Sequence, residues 1–196
     1  MKVGAENLTK YAERFGFGAD IPFDVPVAPG QVFGTPGFLD AQSAVADTGF
    51  GQGQLLTTPL NMALVAATIA NGGSTMRPYL VAEARDSTGK SMSKTKPSEW
   101  HRPVSKATAA TVRDLMINDI ANGYAYAAAI DGHVVGGKTG TAETNTDLPH
   151  AWFIGFVGEN DPKYAVSVLL EHGGEGTHEA LGIGREMLLS TITKYP

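Results

Sequence analysis

The 196-residue chain contains no cysteine, which excludes disulfide bridges and thiolate metal sites. It also has no long apolar run. The most apolar stretch, Met62–Ala70, is far shorter than the roughly 20 residues that cross a bilayer, and no segment has the pattern of a signal peptide. Charged residues make up only 18% of the chain, and the net charge of −5 argues against nucleic acid as a partner. The 42% hydrophobic content is typical of a folded globular protein.

The spacing of apolar residues and the positions of capping residues predict several helices. Apolar residues recur at helical spacing before Gly16, which is suited to end a helix. Thr58-Pro59 and Ser105 are typical helix starts, since each offers a hydroxyl cap and the first adds proline at the first helical position. The helix after Pro59 is apolar on nearly every face, so we expect it to be buried. We expect helices at about 5–15, 58–71, 105–122, 125–129 and 179–193, and little regular structure over 19–56.

Three apolar segments near the C-terminus are spaced like the strands of an antiparallel meander, at about 134–143, 151–157 and 164–171. Another strand is expected over Pro78–Arg85, followed by a polar turn over Asp86–Pro97. Strands and helices are segregated along the chain rather than strictly alternating. This order predicts an α+β fold in which helices flank an antiparallel sheet.

The segment Gly136–Glu143 carries the most informative chemistry. Lys138 provides a positive charge, and Thr139 and Thr141 provide hydroxyls that can bind a carboxylate, while the Thr141 N–H can point into an oxyanion hole. The glycines of this segment allow a substrate backbone to lie along the strand. Taken alone, a Lys-Thr-Gly string is weak evidence, because a glycine-rich strand with one lysine is commonly only a protected sheet edge.

Other blocks of the sequence give the motif its context. Along the chain they are Gly51–Gly53, Thr57–Leu60, Ile69–Gly73, Lys138–Glu143 and Ala151–Phe156. The motif and these blocks, in this order, resemble the class B penicillin-binding proteins, the monofunctional peptidoglycan transpeptidases among the serine penicillin-recognising enzymes. The resemblance implies that residues 1–196 form the C-terminal portion of a single transpeptidase domain with a serine β-lactamase-like fold.

Two of the family's three motifs are missing. No Ser-x-Asn occurs, and the Ser-x-x-Lys strings Ser87–Lys90 and Ser91–Lys94 fall in a polar segment. A nucleophile needs its base held one helical turn away on a packed helix, so we interpret both strings as chance matches. By the family's order, the nucleophile helix, the Ser-x-Asn motif and the N-terminal strands would precede residue 1. We therefore expect an incomplete fold with no nucleophile in this chain, and no activity of the chain alone.

The resemblance also implies a function. The longer protein would be a DD-transpeptidase that cross-links peptidoglycan stem peptides through an acyl-serine, and β-lactams would acylate the same serine. Lys138, Thr139 and Gly140 would be catalytic, and Thr141 would bind substrate and complete the oxyanion hole. The glycine-rich loop with Gly173 and Gly174 would border the cleft. No metal or organic cofactor is implied.

Location and partners follow from the same resemblance. The protein would be anchored to the bacterial cell membrane by an N-terminal span and act on the extracytoplasmic face. The missing N-terminal half of the domain is the expected partner. Without that half, an unpaired sheet edge would lead to a homodimer or a strand swap.

Other interpretations remain open. A β-lactam sensor or a carboxypeptidase would share the motif, with less similarity over Gly51–Gly73. A non-catalytic interaction module would retain the fold without the chemistry. A metal site in the loop after the last strand is disfavoured, because the spacing of its histidines fits no common ligand pattern. Its acidic and histidine residues are Glu171, His172, Glu175, His178 and Glu179. We expect Trp152 and Phe153 in the core and His150 at the surface.

Overall fold

A computed structural model describes residues 3–144, 148–158 and 161–195. Among these residues, no helix combines the length and apolarity needed to cross a membrane. The helices are α1 (Gly4–Arg14), α2 (Gln42–Gly49), α3 (Pro59–Ala70), α4 (Lys106–Asn122) and α5 (Glu179–Lys194), with 3-10 turns at Phe38–Asp40 and Tyr126–Ala128. The strands are β1 (Thr75–Met76), β2 (Glu83–Arg85), β3 (Ser91–Lys94), β4 (Glu99–His101), β5 (Val135–Ala142), β6 (His150–Val157) and β7 (Tyr164–Leu170).

The central sheet is the expected antiparallel meander, with the strand order β5-β6-β7. Side chains alternate between its two faces. Phe153 faces α5 and packs in one cluster with Leu181 and Leu188. Phe156 and its neighbour Ile154 lie on the opposite face, in a cluster with residues of α3 and α4. Helices on both faces of an antiparallel sheet confirm the predicted α+β class.

The starts of α3 and α4 are as predicted from their capping residues. The Thr58 side chain accepts a hydrogen bond from the Asn61 N–H at 3.2 Å, and the Ser105 hydroxyl accepts one from the Thr108 N–H at 3.1 Å. The expectation that α3 is buried is met in part. Asn61, Ala66, Thr68 and Ile69 are buried, Pro59 is exposed, and the remaining residues of the helix are half-buried.

Two regions differ from the sequence-based expectations. Residues 19–56 contain α2, which has no side-chain cap and is held by Ala44 and Val45 in a cluster with Phe17. The strand expected over Pro78–Arg85 is confined to Glu83–Arg85, and it pairs with β3 in a hairpin. Strand β1 pairs with β4, and neither was predicted. Such short elements are set by tertiary pairing, which local sequence patterns do not carry.

The Ser-x-x-Lys strings Ser87–Lys90 and Ser91–Lys94 lie in the hairpin formed by β2 and β3, and a third such string, Ser93–Lys96, begins in β3. Ser87 is in the turn, and Ser91–Lys94 is the strand β3, whose four residues are all exposed. None of the three strings is helical. None of these serines therefore has a lysine held one helical turn away, in agreement with the interpretation of the strings as chance matches.

Candidate functional site

Strand β5 carries the Lys-Thr-Gly motif and forms one edge of the central sheet. Within the described part of the chain, no strand pairs with its outer side. Helix α4 packs against β5, and a Cβ added at Gly137 would lie 3.1 Å from the Ile120 Cδ1 of that helix. The accessible part of the edge therefore begins near Lys138.

The side chains of the motif project from both faces of this edge. Lys138 pairs in register with Ile154, whereas Thr139 pairs with Phe153. Because directly paired residues share a face, Lys138 stands on the α3/α4 face and Thr139 on the α5 face. Lys138 is exposed, and its Nζ donates to the Thr139 carbonyl at 2.8 Å. The charge thus lies over the edge, where it can act on an anionic ligand.

A cavity of about 200 Å³ runs along the motif. It brings β5 together with α3 and with the segment that follows α2. Trp152 lines this cavity and is only half-buried, so its expected place in the core is wrong, whereas Phe153 is fully buried as predicted. The lining residues are Phe17, Phe50, Gly51, Leu55, Thr57, Met62, Lys138, Thr139, Gly140, Thr141, Ala142, Trp152 and Ile154.

A larger apolar groove of about 620 Å³ adjoins the motif on the α3/α4 face. Lys138 and Ile154 line both the groove and the smaller cavity. No serine is among the residues that line either space, so the described chain brings no serine hydroxyl to Lys138. The groove is lined by Phe15, Val65, Ile69, Val104, Val112, Leu115, Met116, Asp119, Gly137, Lys138 and Ile154.

The far end of the open edge is occupied by Gln52. Its Nε2 donates to the Thr141 carbonyl at 2.9 Å, and its Oε1 accepts from the Glu143 N–H at 3.2 Å. Gln52 lies in the matching block Gly51–Gly53, but its sequence context alone predicts no role for it. The one sequence feature that could have indicated a role is the pair of glycines on either side of Gln52. Glycines in these positions allow a tight loop that presents the side chain between them.

The loop after β7 reaches β5 through Gly176 rather than through Gly173 or Gly174. The Gly176 N–H donates to the Thr141 Oγ1 at 3.4 Å, and a Cβ at Gly176 would meet the carbonyl oxygens of Gly140 and Trp152. Gly173 and Gly174 do not line the cavity. Any side chain at position 176 would therefore push this loop away from the motif.

The base of the same loop is tied to the start of β6. The Gly174 N–H donates to the Pro149 carbonyl at 3.1 Å. The His172 N–H donates to the Nδ1 of His150 at 3.0 Å, so His150 takes part in this contact rather than lying free at the surface. Over the described ranges, no three histidine, aspartate or glutamate side chains converge as a metal-binding group.

Comparison with known proteins places this geometry in a wider context. The family model for the penicillin binding protein transpeptidase domain matches residues 1–189. The chain is 39% identical over 204 residues to the peptidoglycan D,D-transpeptidase PbpA of Mycolicibacterium smegmatis, covering 98% of this chain and 40% of that relative. The chain therefore spans well under half the length of this relative.

Two solved structures are similar to the chain throughout. One is penicillin-binding protein A from M. tuberculosis as an imipenem acyl-enzyme complex, with 37% identity and a TM-score of 0.86 over 96% of this chain and 42% of that chain. The other is the D,D-transpeptidase domain of a peptidoglycan glycosyltransferase from Eggerthella lenta, with 30% identity and a TM-score of 0.87 over 98% of this chain and 49% of that chain. Both confirm the fold expected from the sequence.

Proposed function

We propose, from the premise that this chain belongs to the penicillin-binding protein transpeptidase domain family, that it supplies one wall of a peptidoglycan D,D-transpeptidase site. The observation that carries the proposal is the open edge of β5, which presents Lys138, Thr139 and Thr141 along one cavity. The PbpA relative is named a peptidoglycan D,D-transpeptidase, and penicillin-binding protein A has been solved as an acyl-enzyme with imipenem. Peptidoglycan stem peptides and β-lactams are accordingly the proposed ligands.

Each residue of the wall has a role that its chemistry supports. The Lys138 ammonium attracts and orients the ligand carboxylate. The hydroxyls of Thr139 and Thr141 offer hydrogen bonds to that carboxylate, and Gly140 leaves room for a ligand backbone on the strand. The Thr141 N–H serves as an oxyanion-hole donor for the carbonyl that is attacked.

The nucleophile comes from a segment outside this chain. No serine lines the cavity or the apolar groove beside Lys138, whereas acyl transfer of this kind needs an activated hydroxyl within hydrogen-bonding reach of its base. The groove has a volume of about 620 Å³, is lined mostly by apolar side chains and adjoins Lys138. We therefore propose that residues 1–196 are the C-terminal portion of one transpeptidase domain, and that the N-terminal portion places its Ser-x-x-Lys helix in this groove.

The outer edge of β7 is the second contact proposed for that N-terminal portion. Among the strands of the described residues, none pairs with this edge. An exposed edge of seven residues is a template for another strand. In the complete protein the N-terminal strands would cover it, whereas the chain alone would pair with a second copy. The complete protein would act at the outer face of the bacterial cell membrane, where its substrate lies.

A chimera tests the proposal. This chain would replace the matched segment of the M. smegmatis PbpA, which supplies the rest of the domain. We expect the chimera to be labelled covalently by fluorescent penicillin, and Lys138→Met to slow labelling by roughly 100–1000-fold because it removes a charge aimed at the reacting ligand. Lys90→Met is the matched control, since Lys90 lies exposed in the β2–β3 hairpin. Equal labelling of the two variants would refute the role of Lys138.

The same assay addresses the alternatives. A β-lactam sensor or a carboxypeptidase would also be labelled, but it would not join two stem peptides when an acceptor peptide is supplied. A non-catalytic interaction module would leave the chimera unlabelled although it folds. We expect both labelling and peptide joining.

A further inference from the structure

The hydrogen-bonding groups on the outer edge of β5 can be assigned one by one. In an antiparallel strand the N–H and C=O of one residue point to the same side. Since the Thr141 carbonyl meets Gln52, the backbone groups of Thr139, Thr141 and Glu143 all face outward. The Thr139 carbonyl accepts from Lys138 Nζ, and the Thr141 carbonyl and Glu143 N–H bind the two ends of the Gln52 amide. The Thr141 N–H lies between these contacts and faces the cavity.

The orientation of the Gln52 amide is determined by its partners. A carbonyl can only accept and a backbone N–H can only donate, so the NH₂ group must face Thr141 and the oxygen must face Glu143. A peptide group of a neighbouring strand would present the same donor and acceptor to this edge. The Gln52 side chain thus takes the place of an adjacent strand at the end of β5.

The loop that carries Gln52 is anchored. Gly51 and Gly53 have φ angles of 90° and 74°, a left-handed conformation that favours glycine. The Gln52 N–H donates to the Asp47 carbonyl at 2.9 Å, which ties the loop to the end of α2. A Cβ at Gly53 would lie 3.3 Å from Phe38 Cζ. Two left-handed residues and a backbone hydrogen bond hold the amide at the strand rather than letting it swing free.

Strand β5 needs such support. Three of its eight residues, Gly136, Gly137 and Gly140, are glycines, which weaken a strand because they add backbone entropy and offer no side chain to pack. On the outer side of β5, helix α4 packs beside the first half of the strand. Among the described residues, no strand pairs with the second half. Without Gln52, the peptide groups on either side of Ala142 would have only β6 to hold them.

We propose that Gln52 is a positioning residue for the transpeptidase site. Its amide holds Thr141 in register so that the Thr141 N–H is aimed into the cavity, and it ends the peptide-binding edge at that residue. An extended ligand can therefore pair with the edge only between Lys138 and Thr141. This role rests on the proposed function, whereas the contact on which it depends can be tested without any activity.

The contact is tested by amide hydrogen exchange in the isolated 196-residue chain, measured by NMR. We expect Gln52→Ala to increase the exchange rate of the Glu143 amide by roughly 10-fold, the factor that corresponds to one net hydrogen bond, and to leave the Phe153 amide unchanged. Gln52→Glu should retain protection of Glu143, because a carboxylate still accepts from its N–H. The matched control is Gln42→Ala, an exposed glutamine at the start of α2. Unchanged exchange at Glu143 in Gln52→Ala would overturn the contact.

The functional part is tested by the rate of acylation in the chimera, with fluorescent penicillin as the probe. Gln52→Ala should acylate at least about 10-fold more slowly than the unaltered chimera. Gln52→Glu should also be slow at pH 7, where its carboxylate cannot donate to the Thr141 carbonyl. Its rate relative to Gln52→Ala should rise as the pH falls toward about 4.3, the usual glutamate pKa, because the protonated acid donates again. The neighbouring acids Asp47 and Glu143 are present in every variant, so ratios of rates taken at one pH isolate the effect of position 52.

The possible results distinguish failure of the positioning role of Gln52 from failure of the proposed transpeptidase function. A ratio of Gln52→Glu to Gln52→Ala that does not change with pH, or an acylation rate equal to that of the unaltered chimera in Gln52→Ala, would overturn the positioning role. If the unaltered chimera is not acylated at all, the proposed function fails, and the positioning role fails with it. The exchange data would then still decide whether Gln52 holds the strand.

Discussion

Replacement of Gly184 by alanine places a methyl group against the ring of Phe153, in the core directly beneath the motif strand. A Cβ at Gly184 would lie 2.7 Å from Phe153 Cε1 and 3.3 Å from Phe153 Cγ. Phe153 is fully buried between β5, β7 and α5, so its ring has little room to move. Gly182 lies two residues earlier in α5, and a Cβ there would meet no atom within 4 Å.

Comparing alanine substitutions at Gly184 and Gly182 separates the cost of packing a methyl group against Phe153 from the gain in helix propensity. Both substitutions gain about 0.5–1 kcal/mol from the better helix propensity of alanine. Gly184→Ala also forces a methyl group into a filled core, which costs about 1–3 kcal/mol. The gain in propensity cancels when the two variants are compared. Gly184→Ala should therefore be less stable than Gly182→Ala by about 1–3 kcal/mol, or roughly 2–12 °C in Tm for a chain of this size.

Urea unfolding followed by circular dichroism measures the difference, with thermal unfolding as a second readout. Gly182→Ala should unfold at or above the midpoint of the unaltered chain, and Gly184→Ala should unfold below Gly182→Ala. Two variants of equal stability would show that α5 does not press on Phe153 as the structure has it. The packing that positions β5 would then need a different explanation.

Three further predictions concern the chain alone. It should not be labelled covalently by fluorescent penicillin, because no serine among its described residues lines the spaces beside Lys138; stoichiometric labelling that survives denaturation would contradict this. It should dimerise or swap strands through the free edge of β7, which light scattering would detect, and a stable monomer that unfolds cooperatively at high concentration would count against it. Hydrogen bonds from the N–H groups of Leu80 and Val81 lower the pKa of Asp24. The stabilisation from this carboxylate is present above the usual pKa of about 3.9 and is lost as the pH falls through the lower folded-state pKa. Asp24→Asn should therefore flatten the pH dependence of the unfolding midpoint below about pH 4, relative to Asp20→Asn, and equal profiles for the two variants would refute this contribution.

The elements that could be predicted from the sequence are those with strong local signals. The Thr58-Pro59 cap, the Ser105 cap and the alternating strands around the motif each carry their own pattern, and the structure has them within a few residues of the expected bounds. Helix α2 has no side-chain cap, and its position depends on Ala44 and Val45 packing against Phe17. That contact joins segments that are distant in sequence, so it produces no pattern in the local sequence around α2.

The site shows the same division. Lys138 and its neighbours were identified because the motif is contiguous in sequence. The Gln52 amide binds a carbonyl 89 residues away, and the Gly176 N–H reaches a hydroxyl 35 residues away. Trp152 is half-buried because it lines the cavity beside β5, and an apolar residue of a strand has the same local pattern whether it faces a core or a cavity. Long-range contacts of this kind follow from the tertiary fold and not from a local pattern.

The most direct test of the central claim is to map the covalent adduct in the chimera. After incubation with penicillin, digestion and peptide mass spectrometry would locate the modified residue. If this chain supplies the carboxylate-binding wall and another segment supplies the nucleophile, the account predicts a single adduct on a serine of the PbpA-derived segment. An adduct on Ser87, Ser91 or any other residue of this chain would contradict the account.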